Sequence, residues 1–197
     1  PKRSQKKTKI FLAKFTTKNK LKKWEWKRSW VLPKAQILLL CLFILNIHPQ
    51  NYRGKEKLAI VGKGITFDTG GVSLKPSQYM TTMKCDMAGA ASVLGLFSII
   101  SSIKPKVAVM GLVAATPNLV SGRSIVPGDV VKALNGKTIE VLNTDAEGRV
   151  TMADSLSFAV KNGADRIIDL ATLTGACMAG LGTDYAGLFG NNKEFKE

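Results

Sequence analysis

The sequence predicts an α/β layer fold, and three observations predict it. From Lys57 onward short apolar runs alternate with small-residue helical stretches, Pro-Gly and Asn-Gly pairs punctuate β-branched runs, and 45% of the 197 residues are hydrophobic. That is enough for one domain with a substantial core, or for part of a larger one.

In chain order, "KLAIVGKG" (Lys57 to Gly64) reads as a buried strand. "DMAGAASVLGLFSIISSI" (Asp86 to Ile103) reads as a helix whose Ala/Gly-rich first turns allow close packing, and "KVAVMGLVAA" (Lys106 to Ala115) as a second buried strand. "SIVPGDVVKALNGKTIEVLN" (Ser124 to Asn143) carries the turn pairs of a hairpin. "RVTMADSLSFAVKNG" (Arg149 to Gly163) reads as a second helix ended by its glycine, and "RIIDLATL" (Arg166 to Leu173) as a further buried strand. No internal repeat is visible. "NGKT" is not a phosphate loop, because the glycine required five residues before Gly136 is Val131.

The formal charge of +15 is local. Residues 1–57 hold 16 of the 29 Lys/Arg and two of the 14 Asp/Glu, leaving 13 against 12 in the remainder, so the body is close to neutral. The apolar run "ILLLCLFIL" (Ile37 to Leu45) follows the basic stretch and is too short to span a bilayer. A basic stretch before an apolar core has the layout of a secretory signal, but "NIHPQNYRG" supplies no small-residue cleavage site; the other readings are a buried strand or a segment foreign to the fold. The first residue is Pro1, so the true start is expected elsewhere. Cys41, Cys85 and Cys177 are odd in number and far apart, which argues for no disulfide framework and a reducing compartment. His48 is the sole histidine, so the body has no HExxH zinc helix and no Ser-His-Asp or Cys-His catalysis. Its chemistry must use carboxylates, lysines and arginines.

Two clusters supply them. "VLNTDAEGRV" sets Asp145 and Glu147 between a predicted strand and a predicted helix, at the carboxyl end of a sheet where open α/β folds hold ligands. "VGKGITFDTGGVSLKPSQYMTTMKCDMAGAA" adds Lys63, Asp68, Lys75 and Asp86 among glycines. Four carboxylates with lysines and no histidine suit hard or borderline divalent ions such as Mn²⁺, Mg²⁺ or oxygen-ligated Zn²⁺, and are more than one ion needs, so a two-metal centre is inferred. The plainer alternatives are that Asp145 caps the following helix with Glu147 in its first turn, that Lys75 is a solvated loop lysine, that Met83 is core, and that Gly70, Gly71 and Gly148 meet conformational needs. Another two-metal hydrolase, such as a phosphoesterase, fits the carboxylates alone.

"VGKGITFDTGG", "SLKP", "MKCDMAGAA", "PGDVV", "NTDAEGR" and "DLATLTGA" occur in the order and spacing of the leucine aminopeptidase family, the di-metal cytosol aminopeptidases, which the chain resembles from Lys57 to Asn192. The resemblance implies a three-layer sandwich with a mixed central sheet flanked by helices. It implies one metal on Lys63, Asp68, Asp86 and Glu147 and another on Asp68, Asp145 and Glu147, both Mn²⁺ or Zn²⁺. An ammonium cannot coordinate, so Lys63 would bind as the neutral amine.

The resemblance further implies that a metal-activated water attacks the scissile carbonyl beside a free N-terminal amine, with Lys75 stabilising the oxyanion. Arg149, helped by Gly148 and the Leu173 backbone, would hold a bicarbonate acting as general base. Met83, Thr172 and Gly175 would line the pocket for the first substrate side chain, of leucine-like preference. The implied setting is a cytoplasmic homo-hexamer acting on peptides, without a membrane span. Residues 1–50 match neither the family's N-terminal domain nor its interdomain helix, so the expected organisation is a basic and apolar segment over 1–50 and a partial catalytic domain over 51–197, truncated at its C-terminal end. The alternative is a truncated or inactive paralogue acting as a binding module, its basic segment contacting nucleic acid or an anionic membrane.

Overall fold

A computed structural model of the chain describes residues 11–15, 25–26, 41–47, 54 and 56–196; most of the basic N-terminal segment, and His48, lie outside the described residues. The chain runs β1 (Phe11–Phe15), β2 (Glu25–Trp26), β3 (Cys41–Ile47) and β4 (Lys57–Asp68), then α1 (Ser77–Met80), a 3-10 turn (Met83–Cys85) and α2 (Ala88–Ile103). It continues through β5 (Ala108–Asn118), β6 (Asp129–Lys132), β7 (Thr138–Val141), a 3-10 turn (Thr144–Ala146), α3 (Glu147–Lys161), β8 (Arg166–Leu170), α4 (Ala176–Leu181) and α5 (Lys193–Lys196).

Six strands form one mixed sheet in the order β2-β1-β3-β5-β4-β8. Strands β4, β5 and β8 run parallel, with Ile60 opposite Gly111 and Ile168; β3 runs antiparallel to β5, with Ile44 opposite Leu112. The centre is continuously apolar because it is covered on both faces, as parallel strands require. On one face Leu45, Ile60, Val109 and Val113 pack with Ala90, Val93 and Ile100 of α2. On the other, Ile44, Val61, Met110 and Leu112 pack with Met152 and Ala159 of α3. This is the α/β layer fold that the residue pattern predicts, in the three-layer form that the resemblance implies. Cys41 to Leu45 of the apolar run fall in β3, paired with β5, which is the buried-strand reading for that part; residues 37–40 lie outside the described residues.

Boundaries shift for physical reasons. The first turn of α2 lies so close to the sheet that a Cβ on Gly89 would strike the Leu170 carbonyl oxygen, which is the close packing that its small residues permit. The helix starts at Ala88, because the 3-10 turn consumes residues 83–85 and leaves Asp86 in the junction before it. The second helix starts at Glu147, two residues before the predicted Arg149, and its chain reverses at Gly163 with φ +76°. Strand β8 stops at Leu170, where its pairing with β4 ends, and it is the last strand on that side among the described residues; Ile168 is 38% exposed, so this strand is less buried than predicted. The hairpin forms as predicted from β6 and β7, with Asp129 opposite Val141.

The stretch Ser77–Ile100 is apolar enough for a membrane span by composition. Its helices are interrupted by turns at 81–82 and 86–87, and Ala90, Val93 and Ile100 face the sheet, as in a core helix.

Candidate metal centre

The carboxyl ends of β4 and β5 bring the first residues together. In register, Asp68 ends β4 opposite Asn118 at the end of β5, beyond an irregularity in the pairing between Ile65 and Asp68. Gly70 and Gly71 follow with φ of +85° and +67°, a left-handed turn that side-chain-bearing residues rarely adopt. That turn folds the 69–75 loop back until Lys75 N–H donates to the Thr69 carbonyl at 2.9 Å.

The turn after β7 closes on this loop. Thr144 Oγ1 donates to the Gly70 carbonyl (2.6 Å) and accepts from Ser73 N–H (2.8 Å), while Thr144 N–H donates to Ser73 Oγ (3.2 Å). The turn is capped by Asn143, whose side chain accepts from Asp145 N–H at 2.9 Å. Asp145 is therefore not the cap that the plainer alternative made it; its carboxylate is turned to Lys75.

Lys75 Nζ lies 3.0 Å from Asp68 Oδ2 and 2.5 Å from Asp145 Oδ1, the latter an ion pair without the angles of a hydrogen bond. Burial pulls the Lys75 ammonium down, but the close carboxylates of Asp145 and Asp68 outweigh it, and the net shift is upward. Lys75 is thus no solvated loop lysine.

Lys63 lies on the other side of the cluster, 4% exposed. Its Nζ donates to Asp86 Oδ1 and to the Thr172 carbonyl, both at 2.8 Å, and lies 3.2 Å from Glu147 Oε1. Thr172 Oγ1 also donates to Asp86 Oδ1, at 2.7 Å. Gly148 is a contact requirement: a Cβ there would fall 2.6 Å from Lys63 Cε.

One oxygen each from Asp68, Asp86 and Glu147 lie within 4.8 Å of one another. Burial raises the Glu147 carboxyl to about 7; the Lys63 charge opposes this and the Asp68 charge adds to it. Asp86 Oδ2 is buried with no hydrogen-bond partner. Crowded carboxylates, one proton-hungry and one with an orphaned oxygen, are what a divalent cation would satisfy. The residues present fit such an ion.

The remaining expected residues fall at the rim. Met83 is half-buried in the 3-10 turn and accepts from Asp86 N–H through its carbonyl at 3.5 Å. Arg149 is exposed on the first turn of α3 and makes no ion pair among the described residues. Leu173 is 38% exposed, and Gly175, at the start of α4, has open space around it. Sequence reasoning does not single out Asn118, which is 6% exposed and donates from Nδ2 to Asp68 Oδ1 (2.9 Å), the Thr144 carbonyl (3.1 Å) and Glu147 Oε2 (3.3 Å).

Residues 3–197 match the model of the cytosol aminopeptidase family, catalytic domain. The chain belongs to that family. It is 55% identical over 150 residues to a probable cytosol aminopeptidase of Gloeobacter violaceus, covering 76% of this chain and 30% of the relative. It is 54% identical over 155 residues to a probable cytosol aminopeptidase of Aquifex aeolicus, covering 79% and 31%. The chain spans about 30% of the length of the curated relatives it matches.

Proposed function

We propose that this chain carries the metal centre of an aminopeptidase that removes N-terminal, leucine-like residues from peptides in the cytoplasm. The observation that carries the proposal is the buried cluster itself. Asp68, Asp86 and Glu147 bring ligand atoms within 4.8 Å, with Lys63 and Lys75 set among the carboxylates, in a member of the cytosol aminopeptidase family.

Lys63, Asp68, Asp86 and Glu147 would hold one ion and Asp68, Asp145 and Glu147 a second; oxygen-rich ligands of this kind suit Mn²⁺ or Zn²⁺. When bound, such a pair supplies Lewis-acid polarisation of a carbonyl and a water made nucleophilic at neutral pH, chemistry for which aminopeptidases are already a standard two-metal example. Lys75, whose Nζ lies 3.0 Å from Asp68 Oδ2, would offer its charge to a developing oxyanion. Arg149, exposed and without an ion pair among the described residues, can present its fork of donors to a small oxyanion. Bicarbonate is that anion in our reading: Arg149, Gly148 and the Leu173 backbone would hold it, and it would supply a general base. Met83, Thr172 and Gly175 are assigned to the pocket for the first substrate side chain, with Thr172 tied to Asp86 at 2.7 Å.

A homo-hexamer is proposed for the whole protein. Exposed apolar residues on α2 (Leu94, Ile99, Ile103) and over 173–195 (Leu173, Met178, Leu188, Phe189) support burial of these surfaces by further polypeptide.

The test is Mn²⁺- or Zn²⁺-dependent hydrolysis of a leucyl anilide by this chain and by the same sequence within a full-length family scaffold, each with an Asp145→Ala control. Metal-dependent cleavage abolished by Asp145→Ala is expected. Activity unchanged in Asp145→Ala would overturn the assignment, and cleavage only in the longer protein would place the deficit in the supporting scaffold.

A further inference from the structure

From the geometry we infer that Asn118 is a positioning residue for metal binding: its amide holds one oxygen of Asp68 and contacts one of Glu147, orienting both carboxylates toward the cations they would hold. The inference rests on the metal-centre reading and adds a residue that reading does not contain.

Asn118 ends β5 directly opposite Asp68, and its own carbonyl accepts from Thr69 N–H at 2.8 Å and Thr69 Oγ1 at 3.0 Å, so its backbone is pinned to the loop it serves. From there one nitrogen reaches three acceptors on three segments: Asp68 Oδ1 on β4, the Thr144 carbonyl in the turn after β7, and Glu147 Oε2 on α3. The amide has two N–H hydrogens, so three acceptors share them, with Glu147 the longest contact at 3.3 Å.

The pattern of oxygens gives the contact its meaning. Asp68 Oδ1 is occupied by Asn118 and by Gly70 N–H at 2.8 Å, whereas Asp68 Oδ2 faces the Lys75 ammonium. Glu147 Oε2 is turned to Asn118, whereas Glu147 Oε1 faces the Lys63 ammonium. One neutral side chain thereby touches two carboxylates at once, sharing Asp68 with Gly70 N–H and making a longer contact to Glu147. An ammonium or guanidinium could make the same hydrogen bonds but would bring a competing positive charge, and a hydroxyl has only one proton to give. Partners of this kind that orient ligands typically change metal affinity by about 10- to 100-fold when removed.

A purely structural Asn118 would lower the melting temperature and leave the metal affinity of folded molecules unchanged. The experiment therefore measures the Mn²⁺ dissociation constant by chelator competition on the full chain, well below its melting temperature, with the folded fraction followed by circular dichroism. Asn118→Leu removes the donors while filling the space; Asn118→Ala is the variant to use if the leucine does not fold.

Mn²⁺ binding weakened by about 10- to 100-fold in the folded variant is the expected result. Wild-type affinity in a folded variant overturns the inference and leaves the metal-centre reading standing. A wild-type chain that binds no Mn²⁺ overturns both.

Discussion

Replacing Gly148 by alanine adds one methyl group at the point where α3 meets the lysine of the cluster. The new carbon would lie 2.6 Å from Lys63 Cε, 3.0 Å from Cδ and 3.1 Å from Nζ, against an optimum of about 3.5–4.0 Å for carbon pairs, so Lys63 must retreat by about 1 Å. A solvent-exposed lysine would do so at little cost. Lys63 is buried, and its Nζ is held by Asp86, Glu147 and the Thr172 carbonyl at 2.8–3.2 Å, so a retreat of this size disturbs the set of contacts.

Overpacking costs about 1–3 kcal/mol, while alanine in place of a helical glycine returns up to about 1 kcal/mol. We expect a net loss of about 1–2 kcal/mol, which is roughly 2–8 °C in Tm for a chain of this size. Gly95→Ala is the matched control: it sits in α2 with nothing near its added carbon, and should gain about 0.5–1 kcal/mol. The assay is thermal unfolding by circular dichroism without metal, followed by Mn²⁺ titration, where Gly148→Ala should bind at least tenfold more weakly. If Gly148→Ala is as stabilising as Gly95→Ala and binds Mn²⁺ like the wild type, the packing of Lys63 against α3 is not as described.

Two further predictions concern the scaffold. Thr144→Val keeps the side-chain volume but strips partners from the Gly70 carbonyl and Ser73 N–H, and should cost about 2 kcal/mol, seen as a fall of about 4–8 °C in Tm; an unchanged Tm would mean that these bonds do not hold the 69–75 loop. Burial lifts the Asp154 carboxyl to about 6, against the pull of its hydrogen bond from Leu134 N–H at 2.8 Å. Its folded value lies above the unfolded 3.8, so the native state holds the proton longer and loses stability as pH rises from about 4 through about 6. Asp154→Asn should therefore match the wild type near pH 4 and exceed it by about 1 kcal/mol above pH 6, after discounting for partial exposure; urea unfolding at the two pH values checks the sign.

The layers are legible in the sequence because burial on both faces leaves continuous apolar runs, as in β4 and β5, and because the hairpin carries its turn residues openly. The charged members of the cluster are legible because carboxylates and lysines are costly among apolar residues. Asn118 and Thr144 are not. Both are uncharged, Asn118 stands in "TPNL" where asparagine reads as punctuation, and each acts on residues more than 20 positions away, so their roles exist only once β4, β5 and α3 converge. The start of α3 agrees with one half of the plainer reading, Glu147 in the first turn of the helix, and that helical position still leaves its carboxylate in the cluster.

The central claim is that Lys63, Asp68, Asp86, Asp145 and Glu147 form one centre for two ions. Equilibrium dialysis of the folded chain against Mn²⁺, with bound metal counted per chain, tests it most directly. Two ions per wild-type chain and at most one in Asp145→Ala is the result predicted here; no bound ion in the folded wild type, or the same count in both proteins, would contradict it.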